Sequence, residues 1–169
     1  MTNISLIRLS DEHTIAFKEE MQEAFQHGFM AYYKDDNQWQ VLPDKDFYQS
    51  LEAEGAEAYE AVNEDGQRVG GAIITANGTM GELAFLYVKV GVQSKGIGQS
   101  IWKSIEIMHP EIEVWETCTP YFDRRNIHFY INRCGFHAVE FFNEHHPDPN
   151  MPEQFDQEDG LFKFEKRMN

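Results

Sequence analysis

Basic residues are scarce in this chain. Of 169 residues, 14 are Lys or Arg and 29 are Asp or Glu, which leaves a formal net charge of −15. Nucleic acid is held by a basic stripe, and long-range repulsion opposes its approach here, so nucleic-acid binding is excluded as a function class. The same deficit works against anionic membrane surfaces, and no apolar run approaches the length of a membrane span. Cysteine is scarce too. Two residues, Cys118 and Cys134, supply neither a disulfide framework nor a four-thiolate zinc site. They are expected as free thiols in a reducing, cytoplasmic setting. Met1 to Ser10 lacks the basic-then-apolar layout of a secretory signal. Repeats, low-complexity tracts and linkers are absent. What remains is 41% hydrophobic and 14% aromatic, enough for one domain over residues 1–169 with a real core.

The elements follow from spacing and punctuation. Residues 3–9 read as a short strand through Ile4, Leu6 and Leu9. Ser10 or Asp11 caps a helix running to about residue 27, with Ile15, Phe17, Met21 and Phe25 as its apolar positions. Asp44 is expected to cap a second helix, which runs to about Glu54 and stops at Gly55. Strands at 57–62, 68–76 and 80–90 form an antiparallel meander, joined by Asp65-Gly66 and Asn77-Gly78 as type I′ turns. Ile97, Ile101, Ile105 and Met108 recur at helical spacing before Pro110. A strand at 112–117, a helix at about 123–134 closed by Gly135, and strands at 136–142 and 161–167 complete the chain. The acidic stretch 143–160, with three prolines, reads as a loop. The fold class is α/β in the α+β sense: a mixed, mostly antiparallel central sheet of about seven strands, flanked by helices on both faces.

The chemistry concentrates at the turn Val88-Lys89-Val90-Gly91-Val92-Gln93-Ser94-Lys95-Gly96-Ile97-Gly98. A strand ends, glycines free the backbone, and a helix begins. Its first N–H groups are unsatisfied and carry positive partial charge, which suits a pyrophosphate. No Gly-Lys-Ser/Thr closes the loop as in a Walker A motif, and the three-glycine dinucleotide spacing is missing. The pattern Val88, Gln93, Gly96, Gly98 resembles the acyl-CoA motif of the GNAT N-acetyltransferase family, with Val90 where that family usually has proline. The element order matches as well, and Asn126 to Phe136 resembles the family's late helix ending in Gly-Phe.

That resemblance implies a GNAT-like acyl-CoA acyltransferase fold and acetyl-CoA as co-substrate. The cofactor set it implies is Val88, Val90, Gln93, Ser94, Lys95, Gly96, Ile97, Gly98, Gln99, Asn126 and Phe129. Two central strands are expected to splay, with the pantetheine arm pairing to the backbone of Val88 and Val90. A backbone N–H there would stabilise a developing oxyanion. Lys95 either adds charge to a phosphate or is simply solvated, and Lys89 and Lys103 add local positive charge. The implied reaction is acetyl transfer to a primary amine, a small cationic acceptor, by direct attack in a ternary complex. A non-catalytic acyl-CoA-binding or regulatory domain of the same fold is the alternative.

Tyr130 is the implied general acid, against a reading as core on the face of Ile127, Ile131 and Cys134. The commonest family pattern places this tyrosine one residue nearer the Gly-Phe. Glu82 and Glu116 are the candidate bases. Asp123 is another, with helix capping as its competing role, and Asn126 has the same pair of readings between pantetheine and cap. Tyr32, Tyr33 and Trp39 lie where the family builds its acceptor pocket. Asp35 and Asp36 there either face a cationic amine or are solvated. His145, His146 and Asp148 invite a metal reading but lack a third ligand at supporting spacing, so no metal is expected. A homodimer paired through its sheets is the assembly that the resemblance implies.

Overall fold

A computed structural model describes residues 3–31, 40–92, 96–149 and 160–168. In chain order they form β1 (Ser5–Arg8), a 3₁₀ turn (Asp11–His13), α1 (Thr14–Met30), α2 (Asp44–Leu51), β2 (Ala56–Val62), β3 (Arg68–Asn77) and β4 (Met80–Val88). Then come α3 (Ile97–Met108), β5 (Val114–Pro120), α4 (Arg124–His128) running into a π turn (Phe129–Arg133), β6 (His137–Phe142) and β7 (Leu161–Arg167). The seven strands make one sheet in the order β1-β2-β3-β4-β5-β7-β6. Every neighbouring pair is antiparallel except β4 with β5. The expected element order and the mixed, mostly antiparallel sheet are both present.

Each sheet face carries its own core. On one, Ile97, Ile101, Trp102 and Ile105 of α3 pack with Trp115, Tyr130, Phe136 and Phe164. Trp102 and Trp115 meet edge to face at 5.0 Å, and truncating either fully buried ring would cost about 3–5 kcal/mol. On the other face, Phe17 and Met21 of α1 and Phe47 of α2 cover Ala58, Ile73 and Tyr87. Ile15, expected on the apolar stripe of α1, is instead 62% exposed. The four-residue spacing of Phe17, Met21 and Phe25 defines that stripe, and Ile15 falls off it.

Several boundaries and turns differ from the sequence reading. Helix α2 ends at Leu51, and its N-cap is Pro43, with Asp44 inside the first turn. Asp44 accepts from Gln22 at 2.6 Å and pairs with Lys18 at 3.1 Å, anchoring α2 to α1. Neither hairpin uses a type I′ turn, because among the described residues only glycines have positive φ. Gly66 (φ +79°) follows a turn in which its N–H donates to Asn63 O, a type I turn closed by a left-handed glycine. The Asn63 side chain accepts from the N–H groups of Asp65 and Gln67 and supplies the rest of the loop's order. At the second hairpin Asn77 pairs with Met80, so the loop is Gly78-Thr79 with positive φ at Gly78 alone, the pattern of a type II′ turn.

Strand β4 stops at Val88 rather than residue 90. Val92 N–H donates to Lys89 O, and Gly91 at φ +87° occupies the third turn position, as a type II turn requires. Strand β5 begins at Val114 and reaches Pro120, and β1 covers only residues 5–8.

Candidate active site

The central feature is a fork. Strands β4 and β5 pair over three positions only, Met80, Gly81 and Glu82 against Val114, Trp115 and Glu116. Beyond them β4 keeps its ladder with β3 up to Val88, and β5 keeps its ladder with β7 up to Pro120. Their inner edges are therefore open to each other. A bulge contributes to the divergence. Ile74 pairs with Leu83 and Ile73 with Phe85, so Ala84 is the extra residue, and a bulge bends its strand and increases local twist. The backbone polarity of the open edge follows from register. Lys89 N–H donates to Val69 O at 2.8 Å, and alternation turns the N–H groups of Leu86 and Val88 the other way, into the fork. Val90 has left the strand and lies in the type II turn.

At the open end of the fork, Gly96 (φ +93°) is the N-cap of α3. The first intrahelical bond runs from Ser100 N–H to Gly96 O. The N–H groups of Ile97, Gly98 and Gln99 thus begin the helix without intrahelical acceptors. Gly98 is a close-approach position: a Cβ there would stand 3.1 Å from the Phe129 ring. The Gln99 side chain donates to Arg133 O at 2.9 Å, tying α3 to the π turn. Gln93, Ser94 and Lys95 lie outside the described residues, as do Tyr32, Tyr33, Asp35, Asp36 and Trp39. The residues present fit an acyl-CoA. They offer strand-edge N–H groups for an amide-bearing arm and a glycine-led helix N-terminus for a pyrophosphate.

Tyr130 stands on the α3 face of the fork, 6% exposed. The expected continuous helix at 123–134 breaks after His128. Cys134 N–H donates to Phe129 O, an i→i+5 bond, and Phe136 N–H donates to Tyr130 O. This π turn holds one residue more than an α turn. It places Tyr130 in the core and leaves Ile131 at 37% exposure. The Tyr130 phenol packs its ring against Phe129, Phe136 and Phe164. Burial, then the nearby Cys134 and Asp123, push its pKa well above the usual tyrosine value, so the phenol keeps its proton through neutral pH. Asp123 is the N-cap of α4, accepting from Asn126 N–H at 3.1 Å and from Asn126 Nδ2 at 2.8 Å. Asp123 therefore performs the capping role, and it also holds the Asn126 amide.

On the opposite face, Glu82 and Glu116 are direct register partners at the last closed position of the fork. Desolvation and then the Glu116 charge raise the Glu82 carboxyl from its ordinary value, with Lys163 pulling the other way. Lys163 pairs with Glu116 at 3.5 Å. Cys118 follows on the same face. Desolvation, then the charges of Glu82 and Asp148, push the thiol up to about 12. A thiol so raised is a poor nucleophile at neutral pH.

Sequence reasoning missed two features. One is Thr117, which is 3% exposed and whose hydroxyl donates to Leu83 O at 2.9 Å, where the fork begins to open. Its alternation with Glu116 and Cys118 was the available signal. The other is a buried charge clamp behind the glycine turn. Arg68 donates to both Glu20 oxygens at 2.9 Å and to Glu60 at 2.6 Å, while Tyr87 donates to Glu20 at 3.0 Å. His13 reaches Glu60 at 3.0 Å. This clamp fastens α1 to β2, β3 and the end of β4, and the distant sequence positions of its members hid it. No three His, Cys, Asp or Glu among the described residues gather at metal-binding distance. His146 instead contacts Glu140 at 2.8 Å and stacks on Phe142. No helix among the described residues is long and apolar enough to cross a membrane.

Comparison with known proteins agrees with this architecture. YrkN of Bacillus subtilis, described as an uncharacterized protein, is 43% identical over 137 residues, covering 80% of this chain and 74% of that one. A GNAT family acetyltransferase from Elizabethkingia anophelis, solved with acetyl-CoA bound, superposes with a TM-score of 0.69 at 13% identity, over 98% of this chain and 99% of that one. The PaiA N-acetyltransferase of Thermoplasma acidophilum, in complex with coenzyme A, gives 0.70 at 16% identity, with 98% and 99% covered. Spermidine N-acetyltransferase from Vibrio cholerae, with CoA and spermine, gives 0.67 at 10% identity, with 97% and 95% covered. The acetyltransferase (GNAT) family model matches residues 15–136, from α1 through β3, β4 and the glycine turn to the Phe136 that closes the π turn. Forked sheet, glycine-led helix and matched span agree: the chain belongs to the acetyltransferase (GNAT) family.

Proposed function

We propose that this protein is an N-acetyltransferase that moves an acetyl group from acetyl-CoA to a primary amine, a small cationic acceptor, by direct attack in a ternary complex. The observation that carries the reading is the fork, with donor N–H groups along its edge, a phenol on one face and a carboxylate pair on the other. Leu86 and Val88 N–H groups would hold the pantetheine arm and the acyl oxygen. Gly96, Ile97, Gly98 and Gln99, with Gln93 to Lys95, would hold the pyrophosphate. Bound there, acetyl-CoA supplies the activated acyl group.

An alkylamine is protonated at neutral pH and attacks only after losing a proton. Glu82 would accept that proton, directly or through water, and its pairing with Glu116 concentrates negative charge where a cation arrives. Tyr130 would give its proton to the departing sulfur on the other face. Cys118 and Cys134 are free thiols, in keeping with a reducing cytoplasm. A homodimer is the assembly implied by the resemblance, and light scattering measures it.

Two measurements test the reading. A thermal melt with acetyl-CoA at about a hundredfold over its Kd should gain roughly 2.7 kcal/mol, a shift of about 5–10 °C at this chain length, absent with ATP or NAD. Thiol release from acetyl-CoA should then appear with at least one amine in a panel of spermidine, spermine, putrescine, lysine, glucosamine and an alanyl peptide. The deep burial of Tyr130 favours a second reading, a non-catalytic acyl-CoA-binding domain. It predicts the melt shift and no thiol release with any amine.

A further inference from the structure

Resting on the acyl-CoA reading of the fork above, we infer that Glu20 is a positioning residue for acetyl-CoA. Through Tyr87 it braces, from the α1 face, the β4 edge that receives the cofactor's amide arm. Tyr87 stands between Leu86 and Val88, whose N–H groups point into the fork. Period-two alternation splits the three side chains between the two cores. Leu86 and Val88 pack with the α3 face, and Tyr87 is buried on the α1 face. There its hydroxyl donates to Glu20 Oε1 at 3.0 Å.

This part of β4 has little else to hold it. One edge is the open side of the fork, since pairing with β5 ends at Glu82. On the other edge Tyr87 faces Gly71 and Val88 faces Gly70. Cross-strand side-chain pairs are the usual support of a ladder, and glycine supplies none. Neither glycine can be filled. A Cβ on Gly70 would strike the Tyr87 carbonyl, and one on Gly71 would strike the Phe17 ring. Helix α1 takes over the missing support. Phe17 occupies the space beside Gly71 and meets the Tyr87 ring edge to face at 5.5 Å. Glu20 lies three residues further on, on the same helix face, and takes the hydroxyl.

Glu20 is itself held rigidly. Arg68 of β3 donates to both of its oxygens, from Nε and Nη2, each at 2.9 Å. Such a bidentate pair fixes a carboxylate in plane and position. Arg68 Nη1 donates to Glu60 of β2 at 2.6 Å, and Glu60 is 5% exposed. A chain of charge-assisted bonds therefore runs from inside the sheet through Glu60, Arg68 and Glu20 to Tyr87. It ends on the one residue flanked by both donor N–H groups. An edge held in its binding geometry beforehand has less freedom to lose when the arm docks, which is how a brace that never touches a ligand raises its affinity.

The test is the Kd of acetyl-CoA by calorimetry, at a temperature where every variant is folded, with a thermal melt beside each titration. Tyr87→Phe removes one hydroxyl and leaves both Arg68 pairs intact. It should raise the Kd about 2- to 30-fold, the range for a residue that acts on a site without touching it, and so should Glu20→Gln. The double variant should bind no worse than the weaker-binding single variant, because both break one connection. Leu42→Ala truncates a buried residue of the same core that joins none of these bonds. Its melt should fall with the Kd unmoved, which separates the brace from a loss of stability. If Glu20→Gln does not fold, Tyr87→Phe against Leu42→Ala decides. Tight binding by the wild type with unchanged affinity in Tyr87→Phe overturns the brace, as does an equal loss in Leu42→Ala or additive losses in the double variant, and the acyl-CoA site then stands without it. No binding by the wild type removes the acyl-CoA reading of the fork and this inference with it.

Discussion

Glu116, Thr117 and Cys118 are consecutive residues of one strand, yet they belong to two chemically opposed sites. Period-two alternation sends Thr117 and Thr119 to the α3 face. There the groups are neutral and almost wholly buried, Tyr130 among them. Glu116 and Cys118 go to the other face with Glu82 and Lys163, where charge is dense. The fork connects the two sides. Under the proposed reaction, a strand pair that opens in mid-sheet would present a proton acceptor and a proton donor to one reacting centre from opposite directions, with no loop needed to carry either. The sheet keeps the two groups from neutralising each other.

The most severe way to break this asymmetry is to remove its protonated side. Tyr130→Phe should lower kcat about a hundredfold or more while acetyl-CoA still shifts the melt, checked by thiol release and calorimetry. Closing the fork's root comes next. A Cβ on Gly81 would lie 2.5 Å from the Trp115 ring, so Gly81→Ala should destabilise by roughly 1–3 kcal/mol, read from the denaturant midpoint. Glu82→Gln should lower kcat/KM about tenfold or more and abolish an acid limb lying above the ordinary glutamate value of 4.5. Glu116→Gln removes the repelling charge and should move that limb downward with most activity retained.

The smallest expected effect is on stability at the extremes of pH. Burial raises Glu20, but Arg68 and Tyr87 outweigh it and hold its pKa below 4.5. Its contribution is therefore fully present above pH 4.5 and lost as acid protonates the folded carboxylate. Tyr130 titrates above the ordinary 10.0 when folded, so its contribution is complete below pH 10 and lost as alkali ionises the buried phenol. Melting temperatures should fall at both ends, and Tyr130→Phe should flatten the alkaline fall alone.

Local signals carried much of this architecture. The meander, α3 and the glycine-led turn are written in short-range pattern, because apolar spacing and glycine placement act within a few residues. What stayed hidden depends on partners far apart in sequence. The bulge at Ala84 follows from how β3 and β4 register, and the π turn from how Phe129 meets Gly98 and Tyr130 meets Phe136. The hairpins show the same limit at smaller scale. Asp-Gly and Asn-Gly mark where the chain turns, but the side chain of Asn63 and the pairing of Asn77 with Met80 set the loop residues and the turn types. Asn126 shows why residue roles are harder still. Its amide reads as ligand or cap in the sequence, and only the fold shows it donating to the Asp123 carboxylate.

Three register pairs are the whole ladder between β4 and β5, with the Thr117 bond to Leu83 O at its end. In mechanical terms the sheet is two stiff plates joined by a short weld, with the rest of the joint left open. An extended amide chain lying in that joint would act as a removable strand, bridging the plates with hydrogen bonds. The apo protein should flex about Gly81 and Trp115, and filling the joint should stiffen both plates at once. Slower amide exchange at Leu86 and Val88 would then be accompanied by slower exchange along β5, on strands that share no ladder beyond the weld.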